Sequence, residues 1–334
     1  MNVLIFIGNG FDINLGMKTR YSDFYKYYKS VKSQSNLINN LKEEISSNLS
    51  TWSDLELALG QYTKNIKNID ELDEILFDIE ERLAEYLRQV EDNFDYTRSD
   101  SEKLSNYLAF PEKCLMKADE NSILSFRNSR SKDHWYLNVI TFNYTRTLEK
   151  LFKDKYLNIK IGNTYVGDSV ILRDIIHVHG FIDERMIIGV NDLSQVSNKD
   201  FHKNQDAINS LIKEQRNKVQ KHLVDQRCSD LISAADLICI FGSSIGDTDK
   251  LWWSKVGMQL KKDTRLIIFD LGDEIHPRRG HLIERFVQKK KDQFLSKTSL
   301  KEEEKTLVKD KIFVGINSKM FSDVLIESTV EASV

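Results

Sequence analysis

Val3-Leu4-Ile5-Phe6-Ile7 runs directly into Gly8-Asn9-Gly10-Phe11-Asp12-Ile13-Asn14-Leu15-Gly16. Five apolar residues without alternation predict a strand buried on both faces, as in a parallel sheet. The Gly-Asn-Gly that stops the run predicts a tight turn into a helix. Open α/β sheets bind ligands at the carboxyl ends of such strands, so this turn sets the expectation for the whole chain. Similar runs recur. Leu137–Phe142 stops at Asn143, Ile175–Val178 at His179-Gly180, Met186–Ile188 at Gly189, Leu237–Phe241 at Gly242-Ser243-Ser244, and Arg265–Phe269 at Asp270. Each ends in Gly, Asn, His, Ser or Asp, with helical patterns between them. The expected architecture is a Rossmann-like parallel α/β sheet.

Between residues 31 and 130 the pattern is different. Leu72, Ile75, Leu76, Ile79, Leu83, Tyr86, Leu87 and Val90 recur at helical spacing, with Asp and Glu on the other face. This predicts a large all-helical insertion over 31–130 in a discontinuous core formed by 1–30 and 131–334. Residues 193–235 also read as helical, with Ile208, Leu211, Ile212, Val219 and Leu223 on one side. Lys289-Lys290-Lys291 and Glu302-Glu303-Glu304 predict a solvated or mobile helical stretch over 289–311.

The chain has 334 residues, enough for about two domains or one domain with an insertion. It carries 48 Lys and Arg against 51 Asp and Glu, a net charge of −3, which gives no electrostatic reason to expect nucleic-acid binding. Two prolines and 14 glycines are few for this length and argue against a turn-dense β-sandwich. Cys114, Cys228 and Cys239 are odd in number and widely spaced, with no CxxC, which argues against a disulfide framework or zinc ribbon. Cys239 lies within an apolar run and reads as core. Val3–Ile7 is too short for a signal sequence or a membrane span, so a cytoplasmic protein is expected.

The candidate chemistry sits at the strand ends. Gly8-x-Gly10 lets backbone approach a pyrophosphate near a helix N-terminus, though any tight turn uses glycine. Asp12 suits a ribose hydroxyl, a water or a developing cation; the plain alternative is a helix cap. Asn143, in Thr141-Phe142-Asn143-Tyr144-Thr145, offers a donor and an acceptor for a sugar and a water, or caps the following helix. In His177-Val178-His179-Gly180 the two histidines could share a face and bind metal, but no third ligand is identifiable. His179, at the strand end, is the candidate base, and His177 is a core or supporting residue. Gly242-Ser243-Ser244 suits phosphate or ribose contacts. Trp252 and Trp253 read as helix packing.

Taken together and in order, these motifs resemble the bacterial abortive-infection AbiH family. The resemblance rests on GNGFDxxxG at 8–16 with Thr19, Tyr21, Asp23 and Phe24, Trp52 with Glu56, TFNYT at 141–145, HVHG at 177–180, and GSSIGDTDKLWW at 242–253. It implies a part in defence against bacteriophage. More distantly, Gly8, Gly10, Asp12 and Gly16 have the spacing of the sirtuin pattern GAGxSxxxG. Thr141-Phe142-Asn143, His179-Gly180 and Gly242-Ser243-Ser244 are similar to its TQN, HG and GTS elements. Zinc-binding cysteine pairs are missing, the helical insertion replaces the zinc module, and Tyr144-Thr145 follow the asparagine where a sirtuin has aspartate. These departures argue against peptide deacetylation and leave cleavage of the nicotinamide–ribose bond.

The resemblance therefore implies NAD, or a related nucleotide, as substrate and no metal. Asn143, His179 and Asp12 would be catalytic. Gly8, Asn9, Gly10, Gly16, Thr141, Gly242, Ser243, Ser244 and Asp270 would hold the dinucleotide, with Asp270 on the adenosine ribose. The open alternatives are a non-catalytic NAD or ADP-ribose sensor and a metal-dependent hydrolase or nuclease. A defence toxin needs restraint, so a homo-oligomer and a phage-derived trigger are expected as partners, and a membrane is not.

Overall fold

The computed structural model describes residues 1–130, 134–164, 166–272 and 276–326. The expected core segment 131–334 thus includes positions 131–133, 165, 273–275 and 327–334, which lie outside the described residues. Among the described residues seven strands form one sheet: β1 (Asn2–Ile7), β2 (Trp135–Thr141), β3 (Ile159–Asn163), β4 (Ser169–His177), β5 (Leu237–Phe241), β6 (Arg265–Asp270) and β7 (Ile312–Ile316). Their order is β3-β4-β2-β1-β5-β6-β7, and only the β3–β4 pair is antiparallel. The fold is α/β with a mostly parallel sheet.

The unalternating apolar run of β1 follows from burial on both faces. Val3, Ile5 and Ile7 point into one core, with Leu137, Leu172, Leu104 and Leu108. Leu4 and Phe6 point into the other, with Ile232, Trp253, Leu260 and Phe294. With β2 on one side and β5 on the other, β1 is the central strand. Chain order reverses across it, which is where open α/β sheets form their ligand crevice.

A third core is almost wholly helical. Helix Ile69–Asp92 buries Leu72, Ile75, Leu76, Ile79, Leu83 and Leu87 on one stripe. It begins at Asn68, whose side chain accepts from the Glu71 N–H, and Asp70 and Glu71 favour the positive end of its dipole. Helices Tyr21–Ser30, Asn36–Ser47 and Leu55–Tyr62 pack with it. Tyr144, Ile182, Ile188 and Val190, which follow β2 and β4, belong to the same core. The helical layer therefore sits over the carboxyl ends of the strands. Helix Ser101–Ala109 faces the other way and packs on the sheet through Leu104 and Leu108.

Four expectations are corrected. Met186–Ile188 is buried but is not a strand, because it packs beneath the helical layer instead of joining the sheet. The edge strands β3 and β7 were not expected: β3 carries no strong apolar run, whereas β7 does, in Ile312-Phe313-Val314-Gly315-Ile316, and was passed over. Val219 and Leu223 are exposed, because short helices with a break between them replace one continuous amphipathic helix. Lys290 is buried and its ammonium meets Asp270 at 2.6 Å, so the lysine run is not a solvated face throughout. Trp252, Trp253 and Cys239 are core residues, as read from the sequence.

Candidate active site

The loops after β1 and β5 interlock through their backbones. The Gly8 N–H donates to the Phe241 carbonyl at 2.9 Å, and the Gly10 N–H to the Gly242 carbonyl at 2.7 Å. A Cβ on Gly10 would lie 2.5 Å from the Gly242 Cα, and one on Gly242 would lie 2.6 Å from the Phe11 nitrogen. Gly242 also has φ +69°, which favours glycine. These glycines are therefore required by loop contact whatever ligand is present. Ile245 follows with φ +56°, a strained conformation for a β-branched residue, and is fully buried.

Beside these loops lies a cavity of about 320 Å³, with Gly10, Gly242, Ser243, Ser244 and Asp270 in its wall. Arg20, which the sequence reading did not single out, lines it too. Five of the nine expected dinucleotide-holding residues thus meet in one place. The others do not line it. Asn9 spends its amide on Thr19, donating to the carbonyl at 2.8 Å and accepting from the hydroxyl at 2.5 Å. Gly16 ends the short helix at φ +86°. The Thr141 hydroxyl accepts from the Asn143 N–H at 3.1 Å.

Asp12, Asn143 and His179 lie apart from that cavity and are 1 %, 7 % and 4 % exposed, so they are sealed from solvent. Neither Asp12 nor Asn143 is a cap: Asn9 and Arg146 hold the N-cap positions of the two helices concerned. Asp12 Oδ2 accepts from the Thr145 hydroxyl, while Oδ1 is buried without a partner. Burial pushes the Asp12 carboxyl up to about 6, against the pull of hydrogen bonds from Thr145, Thr147 and Asn143. Asn143 Oδ1 and His179 Nδ1 are likewise buried without partners. Buried polar atoms are nearly always paired, so each of these three acceptors is open to a donor.

His179 Nε2 faces Asp249 Oδ1 at 2.9 Å and the Lys213 ammonium at 3.4 Å. The shorter contact is to a carboxylate, which can only accept when ionised, so the assigned tautomer carries its proton on Nε2 and leaves the lone pair on Nδ1. Burial, followed by the Lys213 charge, pushes the imidazole down to about 4, against the pull of Asp249. His179 is thus neutral at pH 7. A cavity of about 20 Å³ beside His179 and Lys213 has room for roughly one water.

Lys213 also meets Glu56 at 2.6 Å and Asp249 at 2.9 Å. Burial raises Glu56 to about 7 against the pull of Lys213. Burial works to raise Asp249 too, but Lys213 and His179 hold it well below the usual carboxylate range. Lys213 is raised despite burial, by Asp249 and Glu56. Neither Lys213 nor Asp249 was singled out from sequence, although Asp249 stands inside the quoted Gly242–Trp253 stretch. Lys213 has no local signal: it opens an ordinary polar helix, Lys213–Val219.

His177 is buried, with Nδ1 2.9 Å from the Asn143 carbonyl and Nε2 2.7 Å from Glu149 Oε1. It shares no partner with His179 and holds the Asn143 backbone in place. No group of three or more His, Cys, Asp or Glu among the described residues is arranged to hold a metal ion. Among these residues no helix is long and apolar enough to cross a membrane.

Residues 4–270 match the family model described as bacteriophage abortive infection AbiH. No curated protein matches the chain.

Proposed function

We propose NAD hydrolysis as the chemistry of this chain, which belongs to the bacteriophage abortive infection AbiH family. The family supports a role in phage defence. The sirtuin-like reading of the sheet and its loops is part of this proposal. The observation that carries it is the set of unpartnered buried atoms, Asp12 Oδ1, Asn143 Oδ1 and His179 Nδ1, on the same edge of the sheet as the glycine- and serine-lined cavity though not in its wall. A cavity of about 320 Å³ is at the small end for ligand pockets and suits a nucleoside phosphate, with the rest of the dinucleotide reaching the buried groups.

In this reaction the bond between ribose C1′ and the nicotinamide nitrogen breaks, and its electron pair leaves with nicotinamide. Water forms the new bond to C1′ and gives up one proton, yielding ADP-ribose. The ionised Asp12 stabilises the cationic sugar. Asn143 Oδ1 accepts from the water or a ribose hydroxyl, and the Nδ1 lone pair of His179 takes the proton. Ser243, Ser244 and the glycine loops hold the phosphates, Arg20 adds positive charge, and Asp270 accepts from the far ribose.

Burial of all three reacting groups favours a second reading, in which the chain is a closed sensor that binds NAD or ADP-ribose without turnover. In either reading a phage-derived trigger would act by opening the helical layer. The test is to incubate the protein with NAD, with and without chelator, and measure free nicotinamide. Release by wild type, retained with chelator and lost in Asn143→Ala, is the expected result; removing such a group typically costs ~10²–10⁴ in rate. NAD binding without release selects the sensor. Neither binding nor release, with extract of phage-infected cells added to supply the trigger, would remove both readings.

A further inference from the structure

Asp249 stands at the N-cap of helix Lys250–Leu260, where an aspartate ordinarily accepts from the first free N–H groups of its helix. It makes no such bond. Its Oδ1 instead lies 2.9 Å from His179 Nε2 and 2.9 Å from the Lys213 ammonium. The carboxylate is thus committed to the imidazole and the ammonium, not to the helix that carries it.

All three groups are held through their own segments. The loop that carries Asp249 is pinned by the Trp253 indole N–H, which donates to the Gly246 carbonyl at 3.0 Å, and by Asn191 Oδ1, which accepts from the Leu251 N–H at 2.8 Å. The His179 carbonyl accepts from the Ile187 N–H at 2.9 Å, and the Phe142 ring centre is 5.6 Å from that of the imidazole. The Lys213 N–H donates to the Val190 carbonyl at 3.2 Å, while the Val190 N–H donates to the Leu211 carbonyl at 2.8 Å. With the imidazole so enclosed, its chemistry turns on which nitrogen carries the proton.

Two neighbours compete for Nε2. The ionised Asp249 can only accept, so it calls for a proton there. The Lys213 ammonium, 3.4 Å from the same atom, can only donate, so it calls for a lone pair. The carboxylate is nearer. We infer that Asp249 is a positioning residue: it holds His179 in the Nε2–H form against Lys213, and so presents the Nδ1 lone pair as an acceptor at the carboxyl edge of the sheet. Nδ1 has no partner within the protein, as that role requires. That Nδ1 then takes a proton from water rests on the hydrolase reading. Its being an acceptor does not, because a sensor would use the same lone pair to accept from a ligand hydroxyl.

The test is nitrogen NMR of the intact chain with isotope-labelled histidine, in which the two ring nitrogens report the tautomer directly. The His179 signals are those lost in His179→Gln. Wild type is expected to show a neutral ring with its proton on Nε2 at pH 7. Asp249→Ala leaves the ammonium, still held by Glu56, as the donor facing Nε2, so the ring should switch to the Nδ1–H form. If Asp249→Ala folds poorly, Asp249→Leu fills the space and removes the same acceptor. Nicotinamide release is measured beside the spectra. A wrong tautomer at a catalytic imidazole costs about 10⁴ in rate, so Asp249→Ala should lose turnover by about that factor while NAD still binds. A wild-type ring protonated on Nδ1 or on both nitrogens, or a folded Asp249 variant that keeps the Nε2–H form, would overturn the inference, even where turnover is lost and the hydrolase reading stands. The expected tautomers without nicotinamide release, infected-cell extract included, would remove the hydrolase and leave Asp249 positioning an acceptor for a bound ligand.

Discussion

A carboxyl group pushed up to about 6 makes Asp12 a liability for the fold and, in the proposed reaction, a reagent. Its folded value exceeds the ordinary 3.8, so the folded chain holds this proton more tightly than the unfolded chain does. That preference stabilises the fold below about pH 4 and is lost as pH rises through about 6. Above this window the buried, ionised Asp12 costs on the order of 3 kcal/mol. Asp12→Asn is therefore expected to be more stable than wild type at about pH 8, and to lose that advantage near pH 4. Urea denaturation at the two values measures this. A variant with equal or lower stability at the higher pH would mean that the Thr145 hydrogen bond, not burial, dominates. If Asp12 also steadies a sugar cation, wild-type turnover falls as pH drops through about 6, since only the ionised form serves. His179, pushed down to about 4, contributes no limb there.

At the scale of elements, Lys213 joins three pieces of chain. Glu56 comes from helix Leu55–Tyr62, Asp249 from the turn Asp247–Asp249 after β5, and His179 from the loop after β4. Lys213→Met leaves two buried carboxylates without their cation, and breaking such a pair typically costs about 3–5 kcal/mol. The expected loss is of that order, and Glu56→Gln in the same chain should recover part of it, as measured by denaturation. Additive losses would show that the groups are not coupled. Much of this arrangement was legible in the sequence. Val3–Ile7, Leu237–Phe241 and Arg265–Phe269 are central strands whose double burial forbids alternation, and the polar residues that end them are at the sheet's carboxyl edge. Edge strand β3 answers to pairing more than to pattern, β7 shows its apolar run Ile312–Ile316 in the sequence, and Met186–Ile188 shows that an apolar run can be buried without joining a sheet. Gly10, Gly242, Ser243 and Ser244 line one cavity because local sequence places them at neighbouring strand ends, while Gly8, Asn9 and Gly16 do not line it. Lys213 was invisible because its partners Glu56 and Asp249 lie 157 and 36 residues away, and only the tertiary fold gives it a role.

In the molecule as a whole, the sheet presents Asp12, Asn143 and His179 at the carboxyl ends of its strands and the helical layer closes over them. Tyr144 belongs to the helical core and donates its hydroxyl to the Ile187 carbonyl at 2.8 Å. The Tyr86 hydroxyl reaches the Lys18 carbonyl at 2.7 Å, and Arg216 pairs with Glu80. A dinucleotide cannot reach groups that are at most 7 % exposed unless this layer moves. The joint is polar at Lys213, whereas the sheet cores on either side are apolar, so the layer should open at a free energy below that of global unfolding. Hydrogen exchange on the intact chain reads this directly. Amides of Leu55–Tyr62 and Lys213–Val219 are expected to exchange through a partial opening faster than those of β1 and β5. Lys213→Met should speed the two helices more than it speeds the strands. Exchange in the helices as slow as in β1 would mean that the layer and the sheet open only together. The ligand would then have to enter from the glycine-loop side, past Arg20 and Ser244, with the helical layer fixed.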